Sequence, residues 1–148
     1  MDKQDNQQLR VASFFSGIGG FDLAFDLAGC EVVFQCEINS FCRKVLKKHW
    51  PDTPLVEDIC EINYENIPEA EIWCAGFPCQ GLSLANQGKR KGLEGKRSGL
   101  FTEFARLVRP VRPRWIVLEN VPGLLNSCNG QDFKYVIETL DDLGYFVA

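Results

Sequence analysis

The chain has 148 residues, 45% of them hydrophobic and 24% charged, with 13 Gly and 7 Pro. This is the make-up of a folded domain of typical size, and it excludes collagen-like, low-complexity and disordered chains. The formal net charge is −4, and no apolar run approaches the ~18–20 residues that a membrane-spanning helix needs.

The polar opening, Met1 to Gln8, reads as a tail of residues 1–8 without the apolar stretch of a secretory signal. Seven Cys in no paired spacing read as reduced thiols, so a cytoplasmic location is expected. Residues 9–148 then alternate apolar runs with helical periodicity, the pattern of βαβ units on a parallel sheet. A first strand, Leu9 to Phe15, ends at Ser16-Gly17-Ile18-Gly19-Gly20. A helix is expected through Phe21, Leu23, Ala24, Leu27 and Ala28, stopping at Gly29. A second strand, Glu31 to Cys36, leads to Glu37, and a helix carrying Phe41, Val45 and Leu46 on one face ends before Pro51.

A short strand at Leu55-Val56 ends at Glu57-Asp58, and a fourth, Ile72 to Ala75, opens onto Gly76-Phe77-Pro78-Cys79-Gln80. Residues 81–97 read as a long loop rich in Gly, Ser and Lys. A helix follows from about Ser98 to Val108, then a fifth strand, Trp115 to Leu118, ending at Glu119-Asn120-Val121-Pro122. A last helix spans roughly Gln131 to Leu143, and Tyr145 to Ala148 reads as the start of another strand, so the domain is expected to be incomplete. The expected fold class is α/β, a doubly wound, mainly parallel sheet, with ligands at the C-terminal ends of its strands.

Charge is unevenly spread. Residues 1–88 carry 6 basic and 13 acidic side chains, residues 89–114 carry 9 basic and 2 acidic, and residues 115–148 carry 1 basic and 5 acidic. A solvated helix face accounts for such a cluster in isolation; beside a catalytic motif it reads as a phosphate-binding segment.

Three groups of residues carry chemistry. Glycines at 17, 19 and 20 allow a tight turn whose backbone amides approach a ligand, although Asp22 and Leu23 stand where a dinucleotide fingerprint has its last glycine. Glu37 at the end of the second strand suits ribose hydroxyls, and Asp58 at the end of the third suits an adenine amino group. Together these outline a nucleoside pocket without a diphosphate, which fits an adenosyl thioether. Cys79, after Pro78 in a strand-to-loop turn, sits where backbone amides can stabilise a thiolate. The other six, Cys30, Cys36, Cys42, Cys60, Cys74 and Cys128, are expected to be small buried hydrophobes. With no C-x-x-C and only His49, at a helix end, no metal site is expected. Glu119, directly after an apolar strand, would gain proton-donating power if it were partly buried.

Phe15-Ser16-Gly17-Ile18-Gly19-Gly20-Phe21, Gly76-Phe77-Pro78-Cys79-Gln80 and Glu119-Asn120-Val121, in that order, closely resemble the DNA (cytosine-5) methyltransferases. Cys36-Glu37-Ile38-Asn39, Asp58-Ile59 and Arg97-Ser98-Gly99-Leu100-Phe101 fit further motifs of that family, so the resemblance runs from Leu9 to Ala148. It implies a Rossmann-like, S-adenosylmethionine-dependent methyltransferase domain. Phe15 and Ile38 would pack on adenine, Glu37 would hold the ribose, and Gly17, Gly19, Gly20, Asp58 and Leu100 would line the pocket. Cys79 would attack C6 of a cytosine flipped out of double-stranded DNA, and Glu119 would bond its N3/N4 edge. Gln80, Ser83, Lys89, Arg90, Lys91, Arg97 and Asn120 would contact the DNA substrate. A bacterial restriction–modification setting, in the cytosol or nucleoid, is implied.

The family's distal arginine motif, target recognition domain and returning final helix have no counterpart in these 148 residues. Little or no methyl transfer is therefore expected of the chain alone, as for a truncated product, a partial sequence or one subunit of a split enzyme completed by a second chain. A tRNA-directed cytosine-5 methyltransferase and an inactive cofactor-binding fragment remain as alternative readings.

Overall fold

The computed structural model describes residues 8–78 and 99–148. Five parallel strands form one sheet in the order β3-β2-β1-β4-β5: β1 (Arg10–Phe14), β2 (Glu31–Cys36), β3 (Leu55–Val56), β4 (Ile72–Ala75) and β5 (Trp115–Leu118). The helices are α1 (Gly20–Leu27), α2 (Ser40–His49), α3 (Leu100–Val111) and α4 (Gln131–Asp142). The α/β doubly wound reading therefore holds. Because every pairing is parallel, all five strands end on one edge of the sheet.

Side chains alternate across β1 and sort the core into two layers. Ala12 and Phe14 enter the larger layer, with Phe34, Trp73, Phe101, Phe104 and Leu107. Phe14 is its hub, with ring centroids 4.8 Å from Trp73, 5.3 Å from Phe104 and 5.7 Å from Phe34. Val11 enters the smaller layer with Ile72 and Cys74, covered by Phe21 and Phe25 of α1.

Several expectations are corrected. Phe21 and Phe25 carry the packing face of α1, whereas Leu23, Ala24, Leu27 and Ala28 are exposed; two aromatic rings four residues apart fill the short gap over the sheet, and the aliphatic residues turn outward. Phe41 of α2 is likewise exposed, and Leu46 is the buried residue of that helix. Helix α3 runs on to Val111 through Pro110, because a proline in the last turn forfeits one amide bond without interrupting a longer helix. Tyr145 to Ala148 forms no strand; the Tyr145 hydroxyl donates to the Pro113 carbonyl at 2.7 Å and its amide to Leu140 at 2.9 Å. Short 3-10 segments at Ile59–Glu61 and Tyr64–Asn66, and two helical turns within Pro122–Gly130 parted by a kink at Ser127 to Asn129, lie in stretches with no clear periodicity. Cys36 and Cys74 are buried as expected, but Cys30 and Cys42 are half-buried and Cys60 and Cys128 exposed. Among the described residues no helix is long and apolar enough to cross a membrane.

Candidate active site

The chain leaves β1 through a residue under constraint. Phe15 has φ +54°, a left-handed conformation unusual for an aromatic residue, and it packs half-buried against the larger core layer. Ser16 follows, its amide donating to the Cys36 carbonyl at 3.1 Å, which ties the turn to the end of β2. The Gly17 amide donates to Glu37 Oε2 at 2.8 Å, and the Asn39 amide donates to Oε1 at 2.7 Å. Two backbone donors thus fix the Glu37 carboxylate at the strand exit, and its remaining lone pairs are available to ligand hydroxyls.

The glycines of the turn serve different ends. An added Cβ at Gly19 would lie 2.5 Å and 2.7 Å from the Trp50 ring, and this residue has φ +91°. Gly19 therefore lets α1 start tightly against the end of α2. Cβ atoms added at Gly17 or Gly20 would meet nothing within 4 Å, so both border open space.

Asp58 ends the β3 segment, its Oδ1 accepting the Cys60 amide at 2.9 Å. Its charge and that of Glu37 both act on the thiol of Cys36, which burial first, and these charges next, push up to about 12. Ile38 is 62% exposed at the rim. Leu100 opens α3 and packs half-buried against the core, on the helix whose Arg106 donates to the Ile59 and Ile62 carbonyls. Phe15, Gly17, Gly20, Glu37, Ile38 and Asp58 thus share the exit edge of β1, β2 and β3, while Leu100 enters from α3.

The exits of β4 and β5 form a second group. The Glu119 amide donates to the Ala75 carbonyl at 3.1 Å, and a Cβ at Gly76 would lie 3.3 Å from Glu119 Oε2. Asn120 Nδ2 donates to the Phe77 carbonyl at 2.7 Å, and its Oδ1 accepts the Val121 amide at 2.9 Å. The side chain expected to contact substrate therefore spans the two strand exits within the protein. Glu119 is exposed rather than partly buried, because Gly76 leaves its carboxylate uncovered. Phe77, Glu119, Asn120 and Leu124 line one end of an apolar groove of about 690 Å³ that runs beside β5 to the last residues of the chain. Cys79, Gln80, Ser83, Lys89, Arg90, Lys91, Arg97 and the loop at 81–97 lie outside the described residues.

Two participants escaped sequence reasoning. Arg43 on α2 donates through Nη1 to the carbonyls of Glu37 and Ile38, and its Nη2 lies 3.0 Å from Glu57 Oε2. It straps the β2 exit to the β3 exit. The available signal was a basic side chain in the first turn of a helix, where the dipole disfavours it and only a partner elsewhere explains it. Asp22, the third residue of α1, is fully buried, and burial raises its carboxyl above the ordinary value. Among the described residues no cluster of three or more His, Cys, Asp or Glu forms a metal site.

The profile of the C-5 cytosine-specific DNA methylase family matches residues 9–148. The chain is 37% identical over 137 residues to the type II methyltransferase M.HhaI of Haemophilus parahaemolyticus, covering 93% of this chain and 41% of that protein. It is 38% identical over 141 residues to the type II methyltransferase M2.BsuMI of Bacillus subtilis, covering 93% of this chain and 35% of that protein. Its fold matches a prophage-encoded E. coli protein of proposed DNA modification methyltransferase activity with a TM-score of 0.73 at 25% identity, over 91% of this chain and 38% of that one. The fold of the Entamoeba histolytica methyltransferase EhMeth matches with a TM-score of 0.68 at 24% identity, over 95% of this chain and 45% of that one. The chain spans about two fifths of the length of the curated relatives it matches.

Proposed function

The chain belongs to the C-5 cytosine-specific DNA methylases, and from that premise we propose that it supplies the cofactor-binding and nucleophile-bearing part of an enzyme that methylates C5 of cytosine in DNA. The topology of the sheet edge carries the reading. The strand order reverses between β1 and β4, and a reversal in a parallel sheet opens a crevice at the strand ends. On one side of it stand the Gly17 amide, Glu37 and Asp58; on the other stand Glu119, Asn120 and the Gly76-Phe77-Pro78 segment that leads into Cys79. A nucleoside donor and a base acceptor held on the two sides would meet across the crevice.

The residues present fit S-adenosylmethionine. Gly17 and Gly20 border open space, Ile38 offers an exposed apolar surface, and Glu37 presents a fixed carboxylate for the ribose. Phe15, Gly19, Asp58 and Leu100 shape or line the same pocket. When bound, S-adenosylmethionine supplies the electrophilic methyl group that ends on C5. Cys79 sulfur adds to C6, which moves the ring electrons toward C5 and N3 and makes C5 nucleophilic. Glu119 bonds the N3/N4 edge and shares a proton with N3 as charge grows there. Loss of the C5 proton and cleavage of the sulfur–C6 bond restore the ring and free Cys79. Asn120 holds the Phe77 carbonyl, two residues before Cys79 in the chain. Gln80, Ser83, Lys89, Arg90, Lys91 and Arg97 bind the DNA, mainly its phosphates. The target base must leave the stack to be reached.

The names of the type II methyltransferase relatives support a bacterial restriction–modification role in the cytosol or nucleoid. The short span relative to those proteins and the exposed side chains of β5 support a partial catalytic domain over residues 9–148. Further polypeptide, in the same or a second chain, would complete it.

Covalent trapping tests the reading: the chain, S-adenosylmethionine and DNA carrying 5-fluorocytosine are resolved on a denaturing gel. Each reaction is run with and without the C-terminal portion of a relative supplied in trans. Fluorine at C5 blocks the last elimination, so a stable adduct is expected, dependent on the added portion and lost in Cys79→Ser. An adduct that survives Cys79→Ser refutes the nucleophile, and trapping on 5-fluorocytosine RNA in place of DNA refutes the substrate. Cofactor-analogue binding with no adduct under any condition refutes the catalytic reading.

A further inference from the structure

Asp22 is a fully buried carboxylate with no part in the scheme above. Its Oδ2 accepts from Ser13 Oγ at 3.0 Å, and its Oδ1 accepts from Gln35 Nε2 at 2.7 Å. Ser13 Oγ lies 2.9 Å from Ser16 Oγ, and Ser16 begins the glycine turn. Ser16 Oγ in turn donates to the Ser13 carbonyl at 3.1 Å, so the Ser13 proton is free for the carboxylate. The carboxylate thus ties together the start of α1, the entry to the turn and the end of β2. Gln35 Oε1 is buried without a hydrogen-bond partner among the described residues. That oxygen is left unsatisfied so that the amide nitrogen can face Asp22, and the reverse orientation would set oxygen against oxygen. Two residues beyond Gln35 stands Glu37, and one beyond Ser16 stands Gly17, the pair joined at 2.8 Å.

We propose that Asp22 is a positioning residue, whose bonds to Ser13 and Gln35 hold the glycine turn against the end of β2 so that the Gly17 amide and the Glu37 carboxylate stay in register. Its effect on a nucleoside ligand rests on the function proposed above; its effect on the Gly17–Glu37 contact does not.

Asp22→Ala removes both acceptors, which leaves the Gln35 amide unpaired and turns the Ser13 hydroxyl to Ser16 Oγ. Asp22→Asn keeps the shape and re-forms the network: its oxygen accepts from Gln35, its nitrogen donates to Ser13, and Ser13 donates to Ser16 Oγ, 2.9 Å away. The test is amide hydrogen exchange by NMR on the full chain, with calorimetric titration of S-adenosylhomocysteine alongside. In Asp22→Ala the Gly17 amide should exchange about tenfold faster relative to the β1 and β2 ladder amides, as expected for loss of one supported hydrogen bond. Asp22→Asn should stay within about threefold of wild type. A purely structural role would speed all amides together and leave the Gly17 ratio unmoved, which overturns the proposal. So does an Asp22→Asn variant as damaged as Asp22→Ala. Should Asp22→Ala fail to fold, Ser13→Ala removes one bond, and an unchanged Gly17 ratio there is equally fatal. A Gly17 response in Asp22→Ala, with a wild type that binds no S-adenosylhomocysteine, refutes the cofactor reading and leaves the positioning role standing. Wild type and Asp22→Ala binding it equally well refutes the link from position to ligand.

Discussion

Gly19→Ala separates a packing glycine from a ligand-facing one within a single turn. Gly19 has φ +91°, and the new methyl would stand 2.5 Å and 2.7 Å from two Trp50 ring carbons. Holding an L-residue in the left-handed region costs about 1–2 kcal/mol. The ring must also move, and Trp50 is not free: its indole N–H donates to Asp26 Oδ2 at 2.7 Å. Loss of that bond adds about 1 kcal/mol. The total is about 2–3 kcal/mol, or a fall in Tm of roughly 4–12 °C for a chain of this size. Gly20 is the first residue of α1, with nothing within 4 Å of an added Cβ. Gly20→Ala should therefore be neutral or gain up to about 1 kcal/mol from helix propensity, while weakening S-adenosylhomocysteine binding. Urea unfolding followed by circular dichroism measures both variants. In a Trp50→Leu background the steric part should vanish, and the Gly19→Ala penalty should fall to about 1–2 kcal/mol. Equal penalties for Gly19→Ala and Gly20→Ala, or no coupling to Trp50, would refute this division of roles.

Arg43→Met removes the strap between the β2 and β3 exits; binding of S-adenosylhomocysteine should weaken about tenfold in calorimetry, the equivalent of one charged hydrogen bond. Asn120→Ala frees the Phe77 carbonyl, and Glu119→Gln removes the shared proton; both should slow adduct formation much more than they raise the cofactor-analogue Kd, and equal effects on the two would point to a structural role. Burial pushes the Cys36 and Cys74 thiols up from the ordinary 9.0 to about 12. Between those values the unfolded chain loses protons that the folded chain keeps, so stability is intact below pH 9 and falls above it, by about 1.4 kcal/mol per pH unit for each thiol. Cys74→Ala should roughly halve that slope in urea titrations at pH 9 to 10.5.

The parallel sheet was legible because each strand is a short apolar run closed by a glycine or an acid, and the polar closing residues pointed to the working edge. Periodicity failed where two faces competed. In α1 the Leu23/Leu27 and Phe21/Phe25 stripes are equally regular, and only the space over Val11, Ile72 and Cys74 selects the rings. It failed again at Tyr145 to Ala148, since an apolar run forms a strand only with a partner to pair with. Glu37 was readable as a strand-end acid, but its two amide donors were not, because they depend on the turn after Gly17. Asp22 and Arg43 were hidden for one reason. A charged residue on a helix reads as solvated until its partners, here on β1, β2 and the β3 exit, are in place.

The inner strand β4 and the outer strand β5 differ in a way that carries a last prediction. All four residues of β4 are buried, whereas in β5 Trp115 and Val117 are exposed on one face and Ile116 and Leu118 only half-buried on the other. Parallel strands are normally covered on both faces, and β5 is the edge of the sheet among the described residues. Around it Val121, Leu125, Phe133 and Phe146 are also exposed, a contiguous apolar surface of the kind that drives association. A bare edge with unpaired backbone groups adds a template for strand pairing. The 148-residue chain alone should therefore self-associate with rising concentration in sedimentation velocity. Val117→Lys, which places a charge on that edge, should shift it toward monomer with its circular dichroism unchanged. A wild-type chain that stays monomeric at about 100 μM, well above the micromolar range in which exposed apolar edges associate, would show that β5 needs no covering polypeptide.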